Sequence, residues 1–336
     1  MTGFRPTIAE LRLSVDAELS TWLEDREQRL SHSGPLLAEM SRLLAAGGKR
    51  LRPSFCYWGY RAATAPHGPH IMRAAASLEL LHTFAIVHDD IMDQSDERRG
   101  NPTVHALHGV NTALLVGDLA LVLADDMFMA SGFDPAALAH AFLAYSRMRQ
   151  EVIVGQWLDL EAAFDKETSE DRARLVARLK SGRYSIEEPL AIGARLAGGS
   201  DELLRRLAQF GSPLGEAFQL RDDLLGLFGD RAETGKPIDS DIREGKHNVL
   251  YAKTRTALQG GERSFFEARW GGSELSEDEV ECLRALVESS GARTATEELL
   301  QQLVRRARTA LEQIETEDEV ASALEALLEL STARGV

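Results

Sequence analysis

The sequence predicts an all-α protein, a bundle of long helices, on the strength of two observations. Apolar side chains recur every three or four positions among strong helix formers over residues 135–164, 172–196 and 203–228. Alternating patterns rich in β-branched residues, which are typical of strands, are nearly absent. Because the breaks between helical segments are short, we expect a single domain over residues 1–336, with a split near residue 260 as the alternative.

Glycine, proline and polar residues mark where each predicted helix ends and the next begins. These breaks lie at residues 33–35, 66–69, 98–103, 132–135, 198–199 and 259–275. The last break, QGGERSFFEARWGGSEL, is predicted to be an exposed connection that leads to C-terminal helices at 275–334. No internal repeat is visible, which disfavours a solenoid.

Composition excludes several classes of function. The chain carries 38 basic and 53 acidic side chains, a formal net charge of −15 at pH 7, which disfavours binding to nucleic acid or to an anionic membrane. The longest apolar stretch, 112–124, is interrupted by Asp118 and too short to span a bilayer, so we expect a buried core helix. Cys56 and Cys282 form neither a metal-ligand pair nor a disulfide framework, and they predict a reducing, cytoplasmic location.

A cluster of aspartates at the end of an apolar helical pattern is the first candidate site. Asp89 and Asp93 are four positions apart, so their carboxylates lie on one helix face, separated by one turn. Like charges at that spacing repel each other and invite a cation, and oxygen ligands of this kind suit Mg²⁺. The alternative interpretation is a solvated acidic helix end.

Two further groups of charged residues extend this pattern. Arg98 and Arg99 follow this cluster directly, and one guanidinium group can bind two diphosphate oxygens at once. The alternative interpretation is a patch of surface salt bridges. A second acidic pair, Asp222 and Asp223, follows another apolar helical stretch, but Gly226 stands where a carboxylate would complete the spacing. This pair could lie on a helix surface by chance. Two helices that each present carboxylates could also face each other across a bundle cavity, the usual place of a bundle metal site.

Basic residues occur in short motifs elsewhere in this acidic chain. In GGKRLRP, Lys49 and Arg52 lie three apart at a predicted helix start, after two glycines that let a ligand approach the backbone. The motif is not a P-loop, because Arg50 stands where Ser or Thr must follow the lysine. Three further lysines occur in KSGRYS, TGKP and DIREGK, and each by itself is typical of surface charge: Lys180, Lys236 and Lys246.

Taken in order, five motifs resemble those of the trans-isoprenyl diphosphate synthases, or polyprenyl synthetases. They are GGKRLRP, HDDIMDQSDERRG, KSGRYS, FQLRDDLLGLFGD and GKPIDSDIREGK. The resemblance covers residues 35–255 and, loosely, the C-terminal helices. It implies an isoprenoid-synthase-type helical bundle around a central cavity between two aspartate-rich helices, usually in a homodimer. The implied activity is that of a prenyltransferase that uses three Mg²⁺ ions to condense isopentenyl diphosphate with dimethylallyl, geranyl or farnesyl diphosphate.

The resemblance also assigns roles to individual residues. The allylic diphosphate would be bridged by Mg²⁺ to Asp89, Asp93 and Asp222. Its oxygens would be contacted by Arg98, Lys180, Ser181, Gln219, Lys236 and Lys246. Isopentenyl diphosphate would lie in a separate basic pocket of Lys49, Arg52, His82 and Arg99. The three aspartates with Lys180 and Lys236 are the expected catalytic residues, whereas His88 is expected to be structural.

The length of the product is expected to depend on residues one and two turns before the first motif. In the family the product grows along this helix, so Leu81, Phe84 and Ala85 would form the floor. Phe84 is bulky and predicts a short product, geranylgeranyl diphosphate (C20), with farnesyl diphosphate (C15) as the alternative. In the second motif, Asp223, Asp230 or water would take the place of the carboxylate that is missing at Gly226.

Two other kinds of protein share parts of this pattern. A class I terpene cyclase also uses DDxxD and magnesium, but it needs no isopentenyl diphosphate pocket, so GGKRLRP and RRG disfavour it. A non-catalytic subunit of a prenyl synthase keeps the fold but loses aspartates, whereas Asp89, Asp93 and Asp222 are all present here.

Overall fold

Long helices dominate the computed structural model of the chain, which describes residues 6–164, 168–229, 239–272 and 274–333. The α-helices are α1 Ile8–Arg29, α2 Gly34–Ala45, α3 Leu51–Ala62, α4 Pro69–Met92, α5 Val104–His108, α6 Val110–Met129, α7 Pro135–Phe164, α8 Glu170–Val176, α9 Glu188–Leu196, α10 Asp201–Phe228, α11 Ser240–Arg243, α12 Val249–Ala257, α13 Gly260–Arg269, α14 Glu277–Ser289, α15 Ala292–Leu311 and α16 Asp318–Thr332. A π-helix, Ala177–Glu187, follows α8, and a short antiparallel hairpin pairs β1, Glu97–Arg98, with β2, Asn101–Pro102. The predicted all-α class is confirmed.

The chain divides into two compact units. Unit 1 falls within Met1–Tyr145, Glu188–Ala208 and Leu311–Leu327, and unit 2 falls within Ser146–Glu187, Gln209–Ala310 and Leu328–Val336. The first aspartate cluster and the GGKRLRP motif belong to unit 1, and the second aspartate cluster belongs to unit 2. The single domain expected from the sequence stays a prediction.

Helix α4 is the central element of unit 1. It packs against α1, α3 and α6, and α3 in turn packs against α9. The approach of α3 to α9 is close because both helices carry glycine: a Cβ at Gly59 would lie 2.2 Å from the carbonyl oxygen of Leu190, and one at Gly193 would lie 1.9 Å from that of Cys56. Helix α4 itself carries buried residues from Ile71 to Asp90, so the aspartates at its C-terminal end stand on a well-packed helix.

A buried arginine joins the first four helices. Arg50, in the left-handed conformation with φ of 49°, precedes α3 and is 4% exposed. Its guanidinium donates hydrogen bonds to Asp16 of α1 at 2.7 Å, to Glu79 of α4 at 2.7 Å and to the Leu44 carbonyl of α2 at 2.6 Å. All of these partners belong to the protein, so Arg50 is a structural residue within the basic motif.

Unit 2 is built around α10 and the π-helix. A Cβ at Gly182 of the π-helix would lie 2.8 Å from the backbone of Gly215 in α10, so two glycines allow these backbones to touch. Helix α12 packs against α8, α13 and α14. The KSGRYS and RDDLLG motifs are therefore carried by packed helices.

The connection predicted at 259–275 is largely exposed, but it contains a helix that the sequence analysis did not predict. Helix α13 occupies Gly260–Arg269, and Phe266 and Trp270 are buried against Tyr251. Glycines on both sides of this segment suggest a loop in the sequence. The short helix is stabilised by burial of two aromatic residues four positions apart, Phe266 and Trp270.

The apolar stretch at 112–124 is helical, but only one face of it belongs to the core. In α6, Val116, Ala120 and Leu123 are buried, whereas Leu115 and Val122 are each 57% exposed. The prediction of a buried core helix is therefore correct for one face of α6 only. Among the described residues, no helix combines the length and apolar character needed to cross a membrane. The cytoplasmic location stays a prediction.

Candidate active site

The first aspartate cluster lies at the C-terminal end of α4. Asp93 is the residue at which the helix ends, and its N–H donates to the carbonyl oxygen of Asp89 at 2.8 Å. Both side chains are half-buried, while Asp90 between them is 3% exposed. The end of a helix carries partial negative charge, and three carboxylates add to it. The site therefore favours a cation.

One of these carboxylates, that of Asp90, is already paired with a positively charged side chain of the protein. Asp90 accepts a hydrogen bond from Nε of Arg98 at 2.7 Å, and Nη2 of the same guanidinium forms an ion pair with it at 2.7 Å. The Arg98 guanidinium also lies 3.6 Å from Asp89. Although burial opposes it, the charge of Asp90 raises the pKa of Arg98. Asp90 thus fixes Arg98 beside Asp89, a positioning role that the spacing rule for Asp89 and Asp93 did not reveal.

The hairpin that follows α4 carries the second arginine across to the glycine motif. Arg99 and Gly100 form its two-residue turn with φ values of 53° and 71°, as a type I′ turn requires. The Arg99 guanidinium donates a hydrogen bond to the Gly47 carbonyl oxygen and lies against Gly48, where a Cβ would be 3.2 Å from Nη1. The structure therefore brings RRG and GGKRLRP together, and their role as an isopentenyl diphosphate pocket stays a prediction.

The other members of that pocket form a strongly basic environment. His82 is half-buried on α4, and burial, together with the charges of Arg52 and Arg99, lowers its pKa well below the ordinary value. The imidazole is therefore neutral at pH 7 and can donate one hydrogen bond to an anion. Arg52 is half-buried at the start of α3, and Lys49 is exposed just before it.

The predicted chain-length residues lie one to two turns below the aspartates. Leu81 is fully buried, and Phe84 is 9% exposed with its ring edge-to-face on His88 at 4.9 Å. Ala85 is half-buried. The imidazole of His88 in turn lies over Gly117 of α6, where a Cβ would be 2.3 Å from it. His88 is thus a packing residue between α4 and α6, as expected.

In unit 2, the second aspartate cluster has one buried and one exposed carboxylate. Asp222 is exposed, whereas Asp223 is 5% exposed and accepts a hydrogen bond from Gln219 at 2.7 Å. Burial and the nearby charge of Asp241 raise the pKa of Asp223 well above its ordinary value. Gln219 thus orients Asp223, and the exposed Asp222 is open to a ligand.

Asp241 occupies the space that a side chain at position 226 would need. A Cβ on Gly226 would lie 2.7 Å from Oδ2 of Asp241 and 3.0 Å from its Oδ1. Asn248 donates a hydrogen bond to that carboxylate at 3.3 Å, and Lys246 Nζ lies 3.8 Å from it. A carboxylate from α11 therefore lies beside the second motif, and glycine at position 226 leaves room for it. Asp223, Asp230 or water as the replacement for the missing carboxylate stays a prediction, and Asp230 lies outside the described residues.

We expect Gly226→Ala to lower kcat/KM by about 10- to 100-fold, because the added methyl group must displace the carboxylate of Asp241 and small misplacements are costly in active sites. Alanine favours the helix by about 1 kcal/mol, so lost helicity cannot explain a decrease. Steady-state kinetics provide the measurement. The matched control is Gly261→Ala, where a Cβ meets nothing within 4 Å. Equal activity of both variants would contradict the importance of this contact.

The KSGRYS motif lies on the π-helix, a geometry that is frequent at functional sites. Lys180 Nζ donates to Asp159 of α7 at 2.6 Å, and a Cβ at Gly155 would lie 2.5 Å from the Lys180 backbone nitrogen. Ser181 is half-buried beside it. Lys236 lies outside the described residues.

Each of the two aspartate clusters, taken by itself, has donors that suit magnesium bound together with a substrate. All candidate ligands are carboxylate oxygens at the negative end of α4 or beside the buried Asp223, which suits a hard cation. Within the described ranges, no group of three or more His, Cys, Asp or Glu side chains could hold a metal ion. Magnesium usually takes one or two carboxylates and completes its shell with water and phosphate oxygens, so such sites depend on the substrate.

Comparison with known proteins points to one family. The polyprenyl synthetase family matches residues 34–287. A geranylgeranyl diphosphate synthase from Sulfolobus acidocaldarius is 36% identical over 261 residues, 75% of this chain and 76% of the relative. A (2E,6E)-farnesyl diphosphate synthase from Mycobacterium tuberculosis is 35% identical over 252 residues, 73% of this chain and 68% of the relative.

Solved structures agree with the sequence relatives. A geranylgeranyl pyrophosphate synthase from Corynebacterium glutamicum, complexed with isoprenyl diphosphate and magnesium, superposes with a TM-score of 0.93 at 36% identity, covering 98% of this chain and 100% of that one. A polyprenyl synthase from Caulobacter crescentus, complexed with calcium and isoprenyl diphosphate, gives a TM-score of 0.86 at 28% identity, covering 100% and 99%. The predicted isoprenoid-synthase-type fold is confirmed.

Proposed function

Because the chain belongs to the polyprenyl synthetase family, we propose that it is a magnesium-dependent synthase with geranylgeranyl diphosphate as its main product. The family and the relatives make it a short-chain trans-prenyltransferase, and its substrates are isopentenyl and allylic diphosphates. The observation that carries the proposal is that unit 1 contains both an acidic helix end and a separate basic group, in which the Arg99 guanidinium lies against Gly47 and Gly48. A terpene cyclase needs only the first of these.

The allylic diphosphate and isopentenyl diphosphate would be bound by different groups of side chains. Asp89, Asp93 and Asp222 would hold magnesium with the allylic diphosphate, and bound magnesium supplies charge that stabilises the leaving diphosphate. Arg98, fixed by Asp90, adds a cation beside Asp89. Contacts from Lys180, Ser181, Gln219, Lys236 and Lys246 to the same diphosphate are part of this proposal.

Isopentenyl diphosphate would be bound by the basic pocket. Arg52 and Arg99 would bind its oxygens, with Lys49 at the exposed side and neutral His82 donating one hydrogen bond. The allylic C1–O bond breaks with its electron pair left on the diphosphate, and the isopentenyl double bond then attacks C1. The carbon next to the resulting cation then loses a proton to the departed diphosphate, and the C–H electron pair forms the new double bond. The pocket orients the attacking group for this step.

Incorporation of labelled isopentenyl diphosphate into extractable product, with geranyl diphosphate as primer, tests this function. We expect incorporation with Mg²⁺ and none after EDTA treatment, with recovery on adding Mg²⁺ back. Consumption of geranyl diphosphate without incorporation of label would point to a cyclase, and no turnover of any primer to a non-catalytic subunit.

We expect Phe84→Ala to lengthen the products made from isopentenyl and dimethylallyl diphosphates. Phe84 lies one turn before Asp89 and is nearly buried, so its ring can block a growing chain. Chromatography of the dephosphorylated alcohols gives the measurement. Ala85→Phe is the opposite change on the same turn and should shorten the products. An unchanged product spectrum for Phe84→Ala would exclude Phe84 as the floor.

We propose a homodimer in which a second copy covers the exposed apolar face of α6, which is formed by Val110, Leu114, Leu115, Val122 and Met129. Leu115→Asp with Val122→Asp should shift the light-scattering mass from dimer to monomer, because charges replace side chains that the partner would bury. Glu281→Lys on α14 is a control outside this face. A dimer that persists in the double variant would contradict this assignment.

A further inference from the structure

The segment that carries Asp241 and Lys246 has little regular structure of its own. Helix α11 is only four residues long, Ser240–Arg243, and Gly245 follows it with φ of +69°. So short a helix is not stable by itself. The position of the segment must therefore come from the groups packed against it.

Two hydrogen bonds from the end of α13 hold this segment on both sides of Gly245. The backbone N–H of Gly271 donates to the Ile242 carbonyl oxygen at 2.9 Å. The indole Nε1–H of Trp270 donates to the carbonyl oxygen of Lys246 itself at 3.1 Å. We call Trp270 and Gly271 the clamp.

A direct backbone contact adds to these bonds. Gly245 and Gly271 both have positive φ, +69° and +79°, and a Cβ on either would lie 2.9 Å from the Cα of the other. Any larger residue at either position would push the clamp away from the segment. The contact therefore fixes the distance between α13 and the backbone beside Lys246.

The clamp is itself anchored in a buried aromatic cluster. Trp270 is 7% exposed, with its ring 4.9 Å from Phe266 and 5.5 Å from Tyr251. His247, the residue after Lys246, stacks on the ring of Tyr251 in the same cluster, with 3.8 Å between the ring centroids and an interplanar angle of 4°. Lys246 is thus held at its carbonyl by Trp270 and through its neighbour by Tyr251.

We propose that Trp270 and Gly271 are positioning residues that set where Lys246 presents its ammonium group to the substrate diphosphate. This inference rests on the proposed function, in which Lys246 binds that diphosphate. The ammonium lies 2.7 Å from Glu244 and 3.8 Å from Asp241. Since a lysine has a long flexible side chain, a fixed backbone is what limits its range.

The test is the affinity for geranyl diphosphate with Mg²⁺ and without isopentenyl diphosphate, measured by titration calorimetry. Trp270→Phe keeps a ring but loses the N–H donor, and should weaken binding about 3- to 10-fold, the range of one hydrogen bond. The matched control is Trp58→Phe, a change at a buried indole whose N–H meets no acceptor among the described residues. It should bind as the unchanged protein does.

A double-mutant cycle separates positioning from general stability. If Trp270 acts through Lys246, Trp270→Phe should cost less than twofold in a Lys246→Ala background. Equal losses in both backgrounds would overturn the inference. No loss on Lys246→Ala alone would instead remove the premise, that Lys246 binds the diphosphate.

A second variant tests the clamp without changing an aromatic residue. Gly271→Ala should weaken binding at least as much as Trp270→Phe, because the methyl group must displace Gly245. Its control is Gly291→Ala, at nearly the same φ, +78°, but with nothing within 4 Å of the added Cβ. Equal affinities of these two alanine variants would overturn the inference, since strain alone would then explain any loss.

Discussion

Asp89→Asn should lower kcat/KM by about 10²- to 10³-fold, the loss typical when one preorganised electrostatic partner of a developing charge is removed. The carboxylate lies at the negative end of α4, where an amide oxygen binds Mg²⁺ far less well. Asp93→Asn should have a similar effect, because Asp93 ends the same helix one turn later. Kinetics at several Mg²⁺ concentrations check this, and part of the loss should be recovered at high Mg²⁺.

The control for these variants is Asp96→Asn, three residues beyond Asp93, whose side chain is 89% exposed. It should retain full activity. Loss of activity in all three variants to the same extent would mean that general charge near α4 matters and that the cluster has no specific role.

Arg50→Ala should destabilise unit 1 by about 3–5 kcal/mol, because it leaves a buried carboxylate without its partner. The Arg50 and Glu79 side chains are only 3% and 5% exposed, and their charged atoms are 2.7 Å apart. The urea midpoint at pH 7 provides the measurement. Arg205→Ala, which removes an exposed pair with Glu202, should leave the midpoint nearly unchanged.

A compensating change makes this expectation more specific. Replacing Arg50 and Glu79 together by methionine should recover most of the lost stability, because an apolar pair needs no counter-charge. If the double variant is no more stable than Arg50→Ala, the loss comes from the hydrogen bonds of Arg50 to Asp16 and Leu44 and not from the stranded charge of Glu79.

The sequence was sufficient for the fold class and for residues whose chemistry depends on local spacing. Asp89 and Asp93 lie on one helix face because the helical period requires it, and α7 begins and ends where its apolar pattern does. The family is likewise indicated by five ordered motifs in the sequence alone, and the family match over residues 34–287 agrees.

Partners that are distant in sequence could not be predicted in the same way. Asp90 and Asp159 bond to the predicted site residues Arg98 and Lys180, and Asp241 fills the space beside Gly226, but no spacing rule in the sequence indicates these contacts. Asp241 lies in the quoted motif GKPIDSDIREGK, but only the approach of its carboxylate to Gly226 in the structure shows where that side chain lies. Likewise Arg50 lies between Lys49 and Arg52, which the sequence predicts as substrate-binding residues, and only its burial shows that it is structural.

Product identification tests the central claim most directly. The protein is incubated with Mg²⁺, isopentenyl diphosphate and, separately, dimethylallyl, geranyl and farnesyl diphosphates, and the dephosphorylated alcohols are identified by mass. We expect geranylgeraniol from all three primers, with isopentenyl diphosphate consumed in proportion to the units added. Farnesol as the end product would correct the chain length alone. Hydrocarbons formed without isopentenyl diphosphate consumption, or no turnover of any primer, would contradict the assignment as a prenyl chain-elongating synthase.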